Sequence, residues 1–99
     1  MTKTVFIAET DCSQHVYSTR EKAVEYIANE IGVMAKCALK MLLGCSIDPN
    51  SEAYKKCQKI CEEELEDEEV LALWDEVLEE EDELQDDGWY EITPHTLDP

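Results

Sequence analysis

The sequence predicts an α+β fold: a small three-stranded antiparallel sheet of order 2-1-3, covered by two or three helices, the last of them strongly acidic. Three observations carry that prediction. β-branched and aromatic residues gather at both ends of the chain, in Val5-Phe6-Ile7, His15-Val16-Tyr17 and Trp89-Tyr90-Glu91-Ile92. Between them, apolar residues recur at steps of three and four, the period of an amphipathic helix. With 99 residues, 43% of them hydrophobic, the chain has room for a single domain spanning 1–99 and a modest core.

The elements follow in chain order. Residues 3–17 read as a hairpin: Thr4 to Glu9 forms one strand, Thr10-Asp11-Cys12-Ser13-Gln14 the turn, and His15-Val16-Tyr17 the return. Ser18, with Glu21 three residues on, has the spacing of a capping box. A long helix over 19–44 is expected behind it. Its stripe is Val24, Ile27, Ile31, Met34, Ala38 and Met41, widened by Ala28, Ala35 and Leu42. Gly32 lies inside this helix at a cost of roughly 1 kcal/mol relative to Ala, and Gly44 is the expected C-cap. Asp48-Pro49-Asn50 is the clearest loop signal. Ser51 then caps helical sequence over 51–85, as one helix or two: Tyr54, Cys57, Ile60, Cys61 and Leu65 first, then an acidic helix from about 68 to 85. Asp87-Gly88 closes it, and a strand over 89–93 ends before Pro94, pairing beside the first strand.

Charge divides the chain more sharply than pattern does. The total is 25 acids against 8 bases, a formal net charge of -17. All eight bases lie in the first 61 residues, with only seven acids; residues 62–99 carry 18 acids and no Lys or Arg. Sixteen of those acids fall between Glu62 and Asp87. Such a block is usually a disordered tail, but Val70, Leu71, Trp74, Val77 and Leu78 within it fall at helical spacing. A helix docked by that stripe, carboxylates outward, is the better reading. Its like charges at i, i+4 oppose it by about 0.2–0.5 kcal/mol each, so packing must hold it.

The composition excludes a protein that grips nucleic acid or an anionic membrane through a basic surface. No apolar run reaches the roughly 18 residues of a membrane span, and Met1–Glu9 is too short in apolar residues for a secretory signal, so a cytoplasmic protein is expected. Five cysteines, Cys12, Cys37, Cys45, Cys57 and Cys61, form an odd count that suits reduced thiols over a disulfide framework. Cys12, His15, Cys57 and Cys61 offer a four-ligand zinc alternative, although i, i+4 cysteines on a helix more often face a core. The two histidines, His15 and His95, have no neighbours that suggest a nucleophile arrangement. The three glycines stand apart, so no phosphate loop is present. Asp86-Asp87-Gly88 lacks the downstream Glu of a calcium loop. The expectation is therefore no enzyme and no cofactor.

The polyanion remains. A 26-residue helix would be about 39 Å long, giving 16 acids a spacing of about 2.4 Å, against about 1.7 Å of axis per charge in duplex DNA. A carboxylate array of that density can occupy a basic groove shaped for nucleic acid. The outward acids expected to do so are Glu66, Asp67, Glu69, Asp75, Glu76, Glu79, Glu80, Asp82 and Glu83, with Trp74, Val77 and Leu78 docking the helix. In size, in Glu62–Asp87 and in the layout of its ends, the chain resembles small acidic phage-encoded counter-defence proteins of the anti-CRISPR and DNA-mimic anti-restriction type. The resemblance is one of character, so it transfers no residue roles. It implies a stoichiometric inhibitor of a basic nucleic-acid-binding protein or complex, such as a nuclease or CRISPR effector, in the host cytoplasm, without direct nucleic-acid binding. The first 61 residues depart from it, being near neutral. The alternative is a small structural or regulatory module, self-associating as a homodimer through the apolar helix 24–42, whose acids serve solubility.

Overall fold

Alternation along the first strand sets the sheet. In the computed structural model, which describes residues 3–11, 13–40, 50–81 and 88–97, β1 (Lys3–Thr10) is the central strand between β2 (Gln14–Tyr17) and β3 (Tyr90–Leu97). Both pairings are antiparallel, with Phe6 opposite Tyr17 on one side and Pro94 on the other. The order 2-1-3 is the one expected. Because side chains alternate between faces, Phe6, Ala8, Tyr17, Tyr90 and Ile92 turn to one side and pack on the core. Val5, Ile7 and Val16 turn to the other.

β3 runs on to Leu97 instead of ending at residue 93. Pro94 is accommodated because β3 is an edge strand, and one side of its backbone has no ladder to maintain.

Helix α1 (Arg20–Leu39) begins one residue later than the capping-box spacing suggests: the Thr19 hydroxyl, not Ser18, accepts from the Lys22 N–H. It also ends earlier than residue 44. Lys40, at φ -90° and ψ 4°, is the C-cap; Gly44 lies outside the described residues. An apolar stripe marks the face a helix can bury, but it does not mark the last hydrogen bond. Ala23, Val24, Ile27, Ala28, Ile31, Ala35 and Ala38 are buried along α1, which packs against all three strands and both other helices. Of the 24–42 stripe offered above for self-association, Val24, Ile27, Ala28, Ile31, Ala35 and Ala38 are thus buried within the chain and Met34 is partly buried; Met41 and Leu42 lie outside the described residues.

Among the described residues of the 51–85 region, 51–81, there are two helices. α2 (Glu52–Glu62) is capped by the Ser51 hydroxyl, which accepts from the Tyr54 N–H. It stops where Glu63 turns extended, at φ -101° and ψ 149°. α3 (Asp67–Glu80) starts after Glu66, also extended. A continuous helix would place Glu62 over Glu66, Glu63 over Asp67 and Glu64 over Glu68. At about 0.2–0.5 kcal/mol each, those pairs would cost about 1 kcal/mol. The break removes them and lets Val70, Leu71, Trp74 and Val77 reach the core. α3 is shorter than the expected 68–85, since Glu81 has left helical geometry; the closure at Asp87 lies outside the described residues. No helix among those described is long and apolar enough to cross a membrane.

A candidate acidic interaction surface

Trp74 fixes the orientation of α3. Its side chain is wholly buried, and its indole N–H donates to the Gly88 carbonyl at 2.7 Å. Val77 is buried and Leu78 partly so. With one face of α3 held this way, the remaining positions must face solvent. Glu66, Asp67, Glu69, Asp75, Glu76, Glu79 and Glu80 are all exposed. Asp82 and Glu83 lie outside the described residues.

The carboxylates are not equivalent. Asp67, Glu68 and Glu69 occupy the first turn of α3, where the helix dipole favours negative charge by about 0.3–1 kcal/mol each at low ionic strength. Glu79 and Glu80 sit at the opposite end, where the same dipole opposes them and no basic residue occupies the last turn. Asp75 accepts a 2.7 Å hydrogen bond from the Tyr90 hydroxyl. Burial, followed by that bond to a carboxylate, pushes the Tyr90 pKa well above its ordinary value. This contact ties α3 to the start of β3.

Seven acids in the 14 residues of α3, about 21 Å long, give one charge per about 3 Å. That is the spacing along one strand of DNA, about 3.4 Å, and it replaces the denser 39 Å rod expected from an unbroken helix. The array is also bipartite. Ala72 and Leu73 interrupt it between Glu69 and Asp75, and with Lys59 they line a shallow depression of about 500 Å³.

Two features of the surface were invisible in the linear charge count. First, α1 contributes acids to it: Glu21 and Glu25 meet Glu66, Asp67 and Glu68 around a groove of about 310 Å³. They belong to the half of the chain that counts as neutral, and only the packing of α1 on α3 brings them in. Second, cations reach the block from other elements. Arg20 pairs with Glu68, and Lys56 with Glu80 at 2.9 Å. The Arg20–Glu68 pair is largely solvent-exposed, so it contributes well under about 1 kcal/mol; the Lys56–Glu80 pair is less exposed, at 22% and 38% of its side chains. Ten of the twelve acids between Glu62 and Glu81 have no ion-pair partner among the described residues.

The alternative zinc ligands are dispersed in character. Cys57 is buried in the core, and burial pushes its thiol up to about 12. Cys61 is half-buried with its pKa also raised, again chiefly by burial. His15 lies on β2 with its ring 4.6 Å from that of Tyr26. Cys12 lies outside the described residues. Among those described, no group of three or more His, Cys, Asp or Glu could hold a metal ion.

No protein-family model, no curated protein and no solved structure matches this chain.

Proposed function

We propose that this protein is a non-catalytic inhibitor that acts in the cytoplasm by occupying a nucleic-acid-binding surface of a basic host protein, such as a nuclease or a CRISPR effector. The observation that carries this reading is the set of seven exposed carboxylates on α3, five of them without an ion-pair partner among the described residues, on a helix held in place by Trp74 and flanked by the acids of residues 62–66. A phosphate-like array on an ordered scaffold gains steered association and counterion release in a basic groove, and both fade with salt. Glu21 and Glu25 widen the array on one side, and the Ala72–Leu73 strip supplies apolar contact in its middle.

The test is retention of a partner from nuclease-treated bacterial lysate on the immobilised protein, eluted with rising salt and competed with duplex DNA. The variant Glu66→Lys/Glu69→Lys/Glu76→Lys/Glu79→Lys reverses four charges whose carboxylates hold no hydrogen bond or ion pair among the described residues. It should lose the partner while keeping its far-ultraviolet circular dichroism. Full retention by the variant would refute the reading. The second reading, a small regulatory module whose acids confer solubility, draws on the cations Arg20 and Lys56 that partly neutralise α3; it predicts no basic partner at any salt concentration.

A further inference from the structure

The outer face of the sheet, turned away from α1, has no covering element among the described residues. Val16, Ile7 and Thr93 form one cross-strand row on it, by the register that places Val16 and Thr93 on either side of Ile7. Val16 is 62% exposed and Leu97, at the far end of the same face, 49% exposed. A chain of net charge -17 repels its own copies at long range, and this face carries little net charge: it is apolar in its middle, with charge of both signs at its ends. Lys3 lies at one end beside Leu97, and Glu9 lies directly opposite Glu91 at the other. Like charges facing each other across a ladder are unfavourable, and neither glutamate has an ion-pair partner among the described residues.

We propose that this face binds a second copy of the chain, sheet against sheet, about a two-fold axis lying in the interface and perpendicular to the strands. That operation lays the Lys3 end of each sheet over the Glu9–Glu91 end of the other. Each like-charged pair thereby gains a cation, and Val16 and Ile7 are buried at the centre. The other two-fold orientation would stack Lys3 on Lys3 and four glutamates together. The contact is isologous and closes after two copies. The face is small: three strands about 4.8 Å apart and eight residues at about 3.4 Å make a patch of about 14 by 27 Å, less than the roughly 800 Å² per partner of a standard interface. The dimer is therefore weak and reversible, with dissociation in the micromolar range. It does not depend on the function proposed above.

The experiment is sedimentation equilibrium of the full chain from low-micromolar to near-millimolar concentration. A monomer–dimer equilibrium is expected. Val16→Asp, at an exposed position of an edge strand, should weaken it by at least about tenfold, the change that about 1.4 kcal/mol produces. Lys3→Glu and Glu91→Lys should each weaken it, and the triple variant Lys3→Glu/Glu9→Lys/Glu91→Lys should recover it, because it reverses the sign of the charge at both ends. Circular dichroism confirms that each variant is folded. A chain monomeric throughout, a dimer indifferent to Val16→Asp, or a triple variant no better than the singles would each overturn the proposal.

Discussion

Alanine at Gly32 and at Gly88, the two glycines among the described residues, should change stability in opposite directions, and the structure supplies the reason. At Gly88 an added Cβ would lie 2.7 Å from Trp74 Cζ2 and 3.3 Å from Leu78 Cδ2. Trp74 is fully buried and its indole N–H is bonded to the carbonyl of Gly88 itself, so the ring cannot retreat without breaking that bond. Overpacking of this kind costs about 1–3 kcal/mol, and loss of the buried hydrogen bond falls in the same range. One displacement causes both, so the two do not simply add. Against them stands about 0.4–1 kcal/mol from restricting the unfolded chain. The net expectation for Gly88→Ala is a loss of about 1.5–3 kcal/mol. At Gly32, inside α1, nothing lies within 4 Å of an added Cβ. Gly32→Ala should therefore stabilise by about 0.5–1 kcal/mol. For a domain of this size each kcal/mol moves Tm by about 4–8 °C. Thermal and urea unfolding of both variants measure the contrast. A neutral or stabilising Gly88→Ala would refute the view that a rigid Trp74–Gly88 contact docks the acidic helix.

Further outcomes follow from the same contacts. Trp74→Phe should cost about 2–4 kcal/mol, from the space left by the smaller ring and the unsatisfied Gly88 carbonyl, measured as a lower urea midpoint at unchanged m. Added salt should raise Tm, because like charges at i, i+4 in α3 (Asp75 with Glu79, Glu76 with Glu80) outweigh the two cross-element ion pairs; a fall in Tm would show the reverse. Cys57, raised by burial from 9.0 to about 12, favours the fold fully below pH 9, and that contribution is lost as pH climbs towards 12. Tyr90, raised in the same direction, adds to the alkaline loss, so Cys57→Ala and Tyr90→Phe should each flatten the fall of urea-midpoint stability above pH 9. Thiol-labelling reagents should modify Cys37 and Cys61 ahead of Cys57, which should react only as the chain unfolds.

Much of this molecule was legible from local pattern, because local physics decided it. The β-branched and aromatic run Val5-Phe6-Ile7 and the helical spacing around Val24, Ile27, Ile31 and Trp74 are short-range signals, and the sheet and helices they define formed. The Ser51 cap and the inward stripe of α3 are of the same kind: each depends on residues within one or two turns of one another. Strand order also followed, since two β-like ends around a helical middle leave few ways to pair. Boundaries were less legible. Whether Ser18 or Thr19 caps α1, and where α1 and β3 end, depends on which hydrogen bonds the folded chain can complete.

What only the tertiary structure decided is where distant charges meet. Counting along the chain assigns Glu21 and Glu25 to a neutral half and leaves the acidic block without a cation. Folding α1 and α2 against α3 puts Glu21 and Glu25 into the acidic groove and delivers Arg20 and Lys56 to Glu68 and Glu80. It also breaks the 51–85 region between Glu62 and Asp67, turning an expected continuous rod into a shorter, two-part array. Electrostatic fields depend on distance in space and act across the whole surface, whereas hydrophobic periodicity acts through neighbours a few residues apart. The sequence alone therefore determined which face of each element is buried, and the packing of those elements determined the shape of the charge they present.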